Sequence, residues 1–469
     1  MQSSPFPAAF TAATIELALV GSPHARDEQN KANRGFCRAV AFATLGVALT
    51  LSGPVIAGEA PLTLAEAQRR AVELSRQIPA QDAAIAASRD KAVAAGQLPD
   101  PMLRFGIDNL PTDGSDQFNP TRDFMTQRRI GISQEFTRSE KRELRAQRYG
   151  LEAEKSLAEK TATIASIQRE TALAWLDRYY AEATAAVIAE QAANVKLEVS
   201  AAESAYRAGR GTQADVFAAH SALAGLEDRI SEFNRRITTA KTGLARWIGD
   251  AAEGELAGKP AIDSIGMDTG ALEIELGHHP QIATLSKQAE VALIEARIAE
   301  ADKKADWTVE LAYALRGPAY SNMVSVGISV PLQWDQRNRQ DRELASRLAL
   351  ADQARAQRDD ALRAHVAEVR SMIQEWQNDL ERTARYGRQL IPLAQERTKA
   401  ALGAYLGNKA SLTDLLLARR NEIDVRLQAL QLEMESARLW AQLNFLFPDQ
   451  AGASHASTAP RDSVIKEAQ

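Results

Sequence analysis

The chain is predicted to be mainly α-helical with a small β part. It divides into two tandem units, each pairing long antiparallel helical hairpins with one β-hairpin, and three copies would close a twelve-stranded barrel continued by a helical tunnel. Three observations carry this expectation. A tip motif is written twice, as Tyr206-Arg-Ala-Gly209-Arg-Gly-Thr-Gln-Ala-Asp215 and as Tyr405-Leu-Gly-Asn408-Lys-Ala-Ser-Leu-Thr-Asp414. Each tip interrupts a helical stretch too long for a compact globule. Ahead of each long stretch, the hydrophobic period changes from about 3.6 to 2.

Each tip reads as the turn of a helical hairpin. Gly209 suits the left-handed residue that ends a helix, and Asn408 is the commonest substitute there. Asp215 and Asp414 each precede a new apolar run, so each is placed to cap or charge the first turn of the returning helix.

Composition sets the outer bounds. The chain has 469 residues, a net charge of -5 and only 6% aromatic residues. It is rich in Ala, Leu, Glu, Gln and Arg, the signature of long helices or coiled coil. Charges of both signs are interspersed, which leaves no electrostatic footprint for nucleic acid. Cys37 is the single cysteine, so an internal disulfide and a cysteine metal site are excluded. It falls in an export signal with Lys31, Arg34 and Arg38 as the positive flank, an apolar run from Ala39 to Leu51, and a small-residue cleavage site near Ala57. That run is too short to span a bilayer, and no other stretch reaches the 18 or so apolar residues of a membrane helix.

Taken in order, residues 1–58 are the N-terminal extension and signal. Residues 59–249 are the first unit, with a β-hairpin at about 101–137 and a tip at about 206–215. Residues 250–277 are a linker. Residues 278–448 are the second unit, with a hairpin at about 307–332 and a tip at about 405–414. Residues 449–469 are a polar tail.

A helix is expected from Leu62, capped by Thr63 with Glu66 as a capping box, and a second from Ala80 to Gln97, stopped by Gly96 and Pro99. Leu103, Phe105 and Ile107 then alternate with polar or small residues, as do Ile130, Ile132 and Phe136. Thr137 with Glu140 opens a helix of roughly 68 residues, about 100 Å long. Its return runs from Asp215 to about Trp247.

His279-Pro280 opens the second unit, and the His278-His279 pair reads as a surface turn. Here Trp307, Val309, Leu311 and Tyr313, then Val324, Val326, Ile328 and Val330, each form one apolar face. Strands of about ten residues with one apolar face match outer-membrane barrel strands; a soluble hairpin on a core is the alternative. A helix follows from Gln340 to the Tyr405 tip, with a kink at Pro392. The return carries a seam of Leu416, Ile423, Leu427, Leu430, Met434, Ala437 and Ala441. Four strands cannot close a barrel, and lipid does not tolerate an open sheet edge, so closure needs other copies. Two copies give an interior that side chains fill, whereas three are wide enough for a pore.

The order of these motifs resembles the outer-membrane efflux channel family typified by TolC. The resemblance covers nearly all of the chain after the signal: the Leu62-Thr-Leu-Ala-Glu-Ala opening, His279-Pro280, both hairpins and both Tyr…Asp tips. Gly131-Ile-Ser-Gln-Glu-Phe followed by Arg138-Ser-Glu-Lys-Arg is similar to the CzcC-like heavy-metal branch.

The resemblance implies a homotrimer in the outer membrane, a periplasmic adaptor, and an inner-membrane pump of the RND type. Asp414 and Asp215 would sit at the periplasmic entrance. Tyr206, Gly209, Arg210, Tyr405, Gly407, Asn408 and Lys409 would meet the adaptor. Trp307, Val309, Leu311, Tyr313, Val324, Val326, Ile328 and Val330 would face outer-membrane lipid. Asp414 matches the first of two entrance aspartates of the family; the second position holds Leu417 here, so one acidic ring replaces two.

Other roles stay open for these residues. The two aspartates could serve only as helix-start residues, and the two tyrosines could pack the tips. The basic runs at Arg138 to Arg148 and Arg337 to Arg342 could face anionic headgroups or be solvated helix starts. No nucleophile elbow, P-loop, zinc motif or dinucleotide fingerprint is present, so neither catalysis nor a cofactor is expected. The function expected is a passive exit duct of a tripartite efflux system for heavy-metal cations. A duct for drugs or type I protein secretion is the first alternative, and a periplasmic coiled-coil scaffold the second.

Overall fold

A computed structural model describes residues 60–448. The export signal, Cys37 and the polar tail lie outside the described residues.

The described residues begin with α1 (Leu64–Leu74) and α2 (Gln77–Ala95). The Thr63 hydroxyl accepts from the Glu66 N–H at 3.2 Å, but only half of the expected capping box forms. The Glu66 carboxylate is drawn instead to Arg69 and Arg70. β1 (Met102–Asp108) and β2 (Gln127–Phe136) follow. Then α3 (Ser139–Arg207) runs for 69 residues, about 100 Å at 1.5 Å per residue. It starts at Ser139 without a side-chain cap: the Thr137 hydroxyl turns to Glu135 at 3.4 Å, so the expected Thr137 box is not made. The return, α4 (Gln213–Ile248), ends at a short 3-10 turn, Gly249–Glu253.

The second unit repeats this order. After α5 (Leu272–Gly277) come α6 (Pro280–Ala301), β3 (Trp307–Leu315) and β4 (Met323–Ser329). The descending helix is α7 (Gln340–Arg385), a π-turn at Tyr386–Leu390 and α8 (Ile391–Leu406). The return is α9 (Leu412–Asn444). Pro392 explains the π-turn: it lacks the N–H that an unbroken helix needs, and its ring crowds the carbonyl one turn back. The Ile391 N–H therefore reaches five residues back, to the Tyr386 carbonyl. β4 stops at Ser329, short of the expected Leu332, because Pro331 has no N–H for the ladder; Val330 is thus outside the strand.

The main core sits where the two units meet, midway along the long helices. Three tryptophans fasten it. Trp175 of α3 donates to the Leu62 carbonyl (3.1 Å), Trp376 of α7 to Ile262 (3.1 Å) and Trp440 of α9 to Ser264 (2.9 Å). Each indole buries its rings among apolar neighbours while its N–H ties down a passing loop. Leu62 also bridges Leu256, closing the start of the chain onto the linker.

Along α9 the expected seam is only partly buried. Ile423, Ala437 and Ala441 are in the core, but Leu416, Leu427, Leu430 and Met434 are half-buried. Leu427, Leu430 and Met434 line an open groove of about 850 Å³ with Phe233 of α4 and Tyr180 of α3. A single layer of helices leaves such faces open. The buried line instead includes Glu422 and Ser436, which apolar periodicity passes over.

Candidate functional site

The four strands form one antiparallel sheet in the order β1-β2-β3-β4. Each strand alternates, and the register stacks like with like. Phe105 faces Ile130, which faces Tyr313, which faces Val324. In the next apolar row, Leu103, Ile132, Leu311 and Val326 line up in the same way. This face is exposed throughout its centre: Phe105 is 73% accessible, Val326 71% and Ile328 70%. At the helix-side end of the same face, the Phe136 and Trp307 rings stack with centroids 4.6 Å apart.

The opposite face carries Arg104, Gly106, Arg129, Gly131, Ser133, Glu310, Ala312, Ser325 and Gly327. Arg129 bonds Glu310 at 2.7 Å, with Asp108 at 3.8 Å. A Cβ on Gly131 would come within 3.1 Å of Ala312, so small residues are needed on both strands. One face is suited to hydrocarbon and the other to water, while β1 and β4 each leave one edge unpaired. Among the described residues, no helix is long and apolar enough to cross a membrane.

At the far end, the two tips adopt the same backbone solution. Gly209 has φ 70° and Asn408 has φ 57°, both left-handed as expected. The returning helices start with full capping boxes. The Thr212 hydroxyl accepts from the Asp215 N–H while the Asp215 carboxylate accepts from the Thr212 N–H at 2.9 Å; Ser411 and Asp414 do the same, with the second bond at 3.1 Å. The Ser411 hydroxyl, then its backbone N–H, hold the Asp414 carboxyl below the usual carboxylate range. The two tips pack side by side through Val199, Ala202, Ala219, Leu412 and Leu415, with Tyr405 against them. Burial, and then the charges of Asp215 and Glu198, raise the Tyr405 hydroxyl. Tyr206, Gly209, Arg210, Gly407, Asn408 and Lys409 are exposed.

The outer-membrane channel OprN superposes with a TM-score of 0.70 at 18% identity, covering 82% of this chain and 89% of its own. The outer membrane protein VceC from Vibrio cholerae gives 0.67 at 19% identity, covering 82% and 95%. CusC, whose structures concern folding and transmembrane channel formation, gives 0.67 at 14% identity, covering 82% and 92%. No protein-family model matches the chain, and no curated protein matches its sequence at a significant level. The chain has the fold of these channels.

Two features of this channel fold escaped the sequence. The first is a charge network between α3 and α9, a few turns from the tips. Arg419 bonds Glu198 at 3.0 Å and Glu422 at 3.5 Å, and Arg426 reaches Glu422 at 3.4 Å and Glu190 at 3.3 Å. Glu198 and Glu422 are almost wholly buried, and burial pushes the Glu198 carboxyl up against the opposing pull of Arg419. A charged pair on an otherwise apolar helix face is its only sequence signal.

The second feature corrects the His278-His279 reading. His278 is exposed, but His279 is buried, its ring 4.4 Å from that of His365 and 5.6 Å from Phe447. His279 caps α6 by accepting from the Gln281 N–H, and the fixed ring before Pro280 is carried inward with the helix start. Burial, reinforced by His365, lowers its pKa to about 4. No group of three metal-ligating side chains occurs among the described residues.

Proposed function

We propose that the chain is one of three protomers of an outer-membrane duct, the passive exit of a tripartite efflux system for heavy-metal cations. The observation that carries this reading is the sheet. It has one exposed apolar face, one polar face and two free edges, and it is mounted on helices about 100 Å long. In lipid, the unpaired backbone groups of β1 and β4 are tolerable only if β4 of one copy pairs with β1 of the next. Three copies give a barrel wide enough to stay wet, lined by the glycines, alanines, serines and ion pairs of the polar face.

In this reading, Trp307, Val309, Leu311, Tyr313, Val324, Val326 and Ile328 meet lipid. Asp414 and Asp215 ring the entrance, where each also caps its helix. The exposed tip residues, Tyr206, Gly209, Arg210, Gly407, Asn408 and Lys409, are free to meet a periplasmic adaptor, and an RND-type inner-membrane pump would deliver the cargo. Tyr405 is drawn into the tip packing and contributes mainly to holding the two hairpins together. The metal assignment is supported by the Gly131 to Phe136 and Arg138 to Arg142 stretches.

Growth of a deletion strain on zinc, cobalt, cadmium, copper and nickel, beside drugs and detergents, tests the cargo. Sensitivity confined to metals is expected. Sensitivity to drugs alone would keep the duct and overturn the cargo. Recovery of the protein only as a soluble species after lysis would overturn the duct itself and favour the scaffold.

A further inference from the structure

Two basic runs stand where the sheet meets the helices, and the molecule uses them differently. In the first, Lys141 is buried between Asp306 (2.8 Å) and Asp302 (3.4 Å), Arg142 donates to the Gly96 carbonyl (3.0 Å), and Arg148 pairs with Glu295 (2.9 Å). These cations fasten α3 to its neighbours and are not available to anything outside.

In the second run, Arg337, Arg339 and Arg342 are exposed, and no carboxylate among the described residues lies within salt-bridge distance of them. The acids nearby are already engaged. Asp335 accepts from Asn338 (2.9 Å), Asp341 pairs with Lys303 (2.7 Å) and Glu343 with Arg347 (2.8 Å).

The chain leading into these arginines continues the apolar alternation of β4 in sequence and stays exposed. Val324, Val326 and Ile328 lie on the apolar face of the sheet within β4, and the alternation continues past the end of the strand through Val330, Leu332 and Trp334. Exposure dips at Val330 and then rises through Leu332 to 87% at Trp334. The level of this segment is fixed by two ties to the end of α6, just ahead of β3. Gln333 donates to the Asp302 carbonyl (3.0 Å), and Asp341 pairs with Lys303. Gln333, the neighbour of Trp334, is thus held beside the turn that leads into Trp307, whose ring stacks on Phe136 at the helix-side border of the apolar band. An exposed indole at that border, followed by three unpaired guanidinium groups, matches the layering of a membrane interface: an amphipathic ring at headgroup level, then positive charge.

We propose that Trp334, Arg337, Arg339 and Arg342 form a binding surface for the anionic headgroups of phospholipids in the periplasm-facing leaflet. The guanidinium fork suits phosphate oxygens better than a point charge does. The inference rests on the barrel reading given above.

The test uses the full chain, purified in mild detergent and reconstituted into phosphatidylcholine vesicles with or without phosphatidylglycerol. Bound lipid is counted by native mass spectrometry, and oligomeric state and conductance are recorded in parallel. The wild type is expected to retain phosphatidylglycerol over phosphatidylcholine by roughly tenfold. The combined R337Q, R339Q and R342Q variant should lose most of that preference while remaining an oligomeric, conducting channel. The corresponding lysine variant should keep most of it, and W334S should weaken retention of both lipids.

An unchanged preference in the glutamine variant would overturn the proposal and leave the barrel intact. Dissociation of that variant into single chains in both vesicle types would also overturn it, because the arginines would then be contacts between copies. A wild type that neither inserts nor conducts in any vesicle would overturn the barrel reading, and this inference with it.

Discussion

In the first unit, α3 runs from the sheet to the tip as one uninterrupted helix, Ser139–Arg207. In the second, the same path is split into α7, a π-turn at Tyr386–Leu390 and α8. The tips differ as well, with Gly209 at one left-handed position and Asn408 at the other. Other elements coincide: a hydroxyl residue at each N-cap, an aspartate three residues on, and a hairpin of alternating strands before each long helix. The architecture demands only some of these features. It needs a long descending helix, a left-handed residue and a capped return. It tolerates a proline when one wider turn absorbs it, and asparagine in place of glycine when its short side chain accepts positive φ.

Matched substitutions in the two units should separate what each contributes. The largest expected loss is at the central core, where Trp175→Ala and Trp376→Ala should each cost about 3–5 kcal/mol. Each would leave a cavity; Trp376→Ala would also unpair the Ile262 carbonyl, whereas the Leu62 carbonyl keeps its bond from the Ala257 N–H after Trp175→Ala. Thermal unfolding of both variants in the same detergent checks this; a mild effect at Trp376 alone would mean that the second unit contributes little to the core.

Next comes Arg419→Ala, which would strand the buried Glu198 carboxylate at a cost on the order of 3 kcal/mol, while Glu422 keeps Arg426. The first unit has no counterpart on α4, so the loss should be specific to the α3–α9 contact and be read as faster proteolysis near the tips.

The pH dependence is expected to come from the second unit. Because the folded pKa of His279 lies near 4, below its ordinary 6.5, the unfolded chain takes up the proton first. The contribution of His279 to stability is therefore complete above pH 6.5 and is lost as pH falls toward 4, by up to roughly 3 kcal/mol. A melting curve recorded across that window should flatten in His279→Gln.

The smallest effects concern the tips. Gly209→Asn and Asn408→Gly should each change stability by less than about 1 kcal/mol, whereas Gly209→Val should cost about 1–2 kcal/mol through strain at positive φ. Thr212→Ala and Ser411→Ala should each cost about 1 kcal/mol. Matching values would show that the two tips are interchangeable; unequal ones would assign one tip a further task.

Much of this organisation was legible because it is periodic. The β3 bounds, the start of α7 and both left-handed tip residues follow directly from alternation, caps and turn chemistry. The features that were not legible depend on non-periodic contacts. Thr137 loses its capping role to competition from Glu135, and His279 is carried inward by packing against His365 and Phe447, residues distant in sequence. The seam on α9 is less apolar than its periodicity suggests, since Glu422 lies on its buried face and is compensated by arginines whose partners sit on another helix. The basic runs look alike as sequence; only the positions of Asp302, Asp306 and Glu295 separate the structural cations from the free ones.

The proposed duct requires three copies to close these four strands into a water-filled pore. The most direct measurement is single-channel recording of the purified full chain in a planar bilayer. Discrete conductance steps of uniform size are expected. A protein that remains a single chain and produces no steps at any concentration would contradict the account.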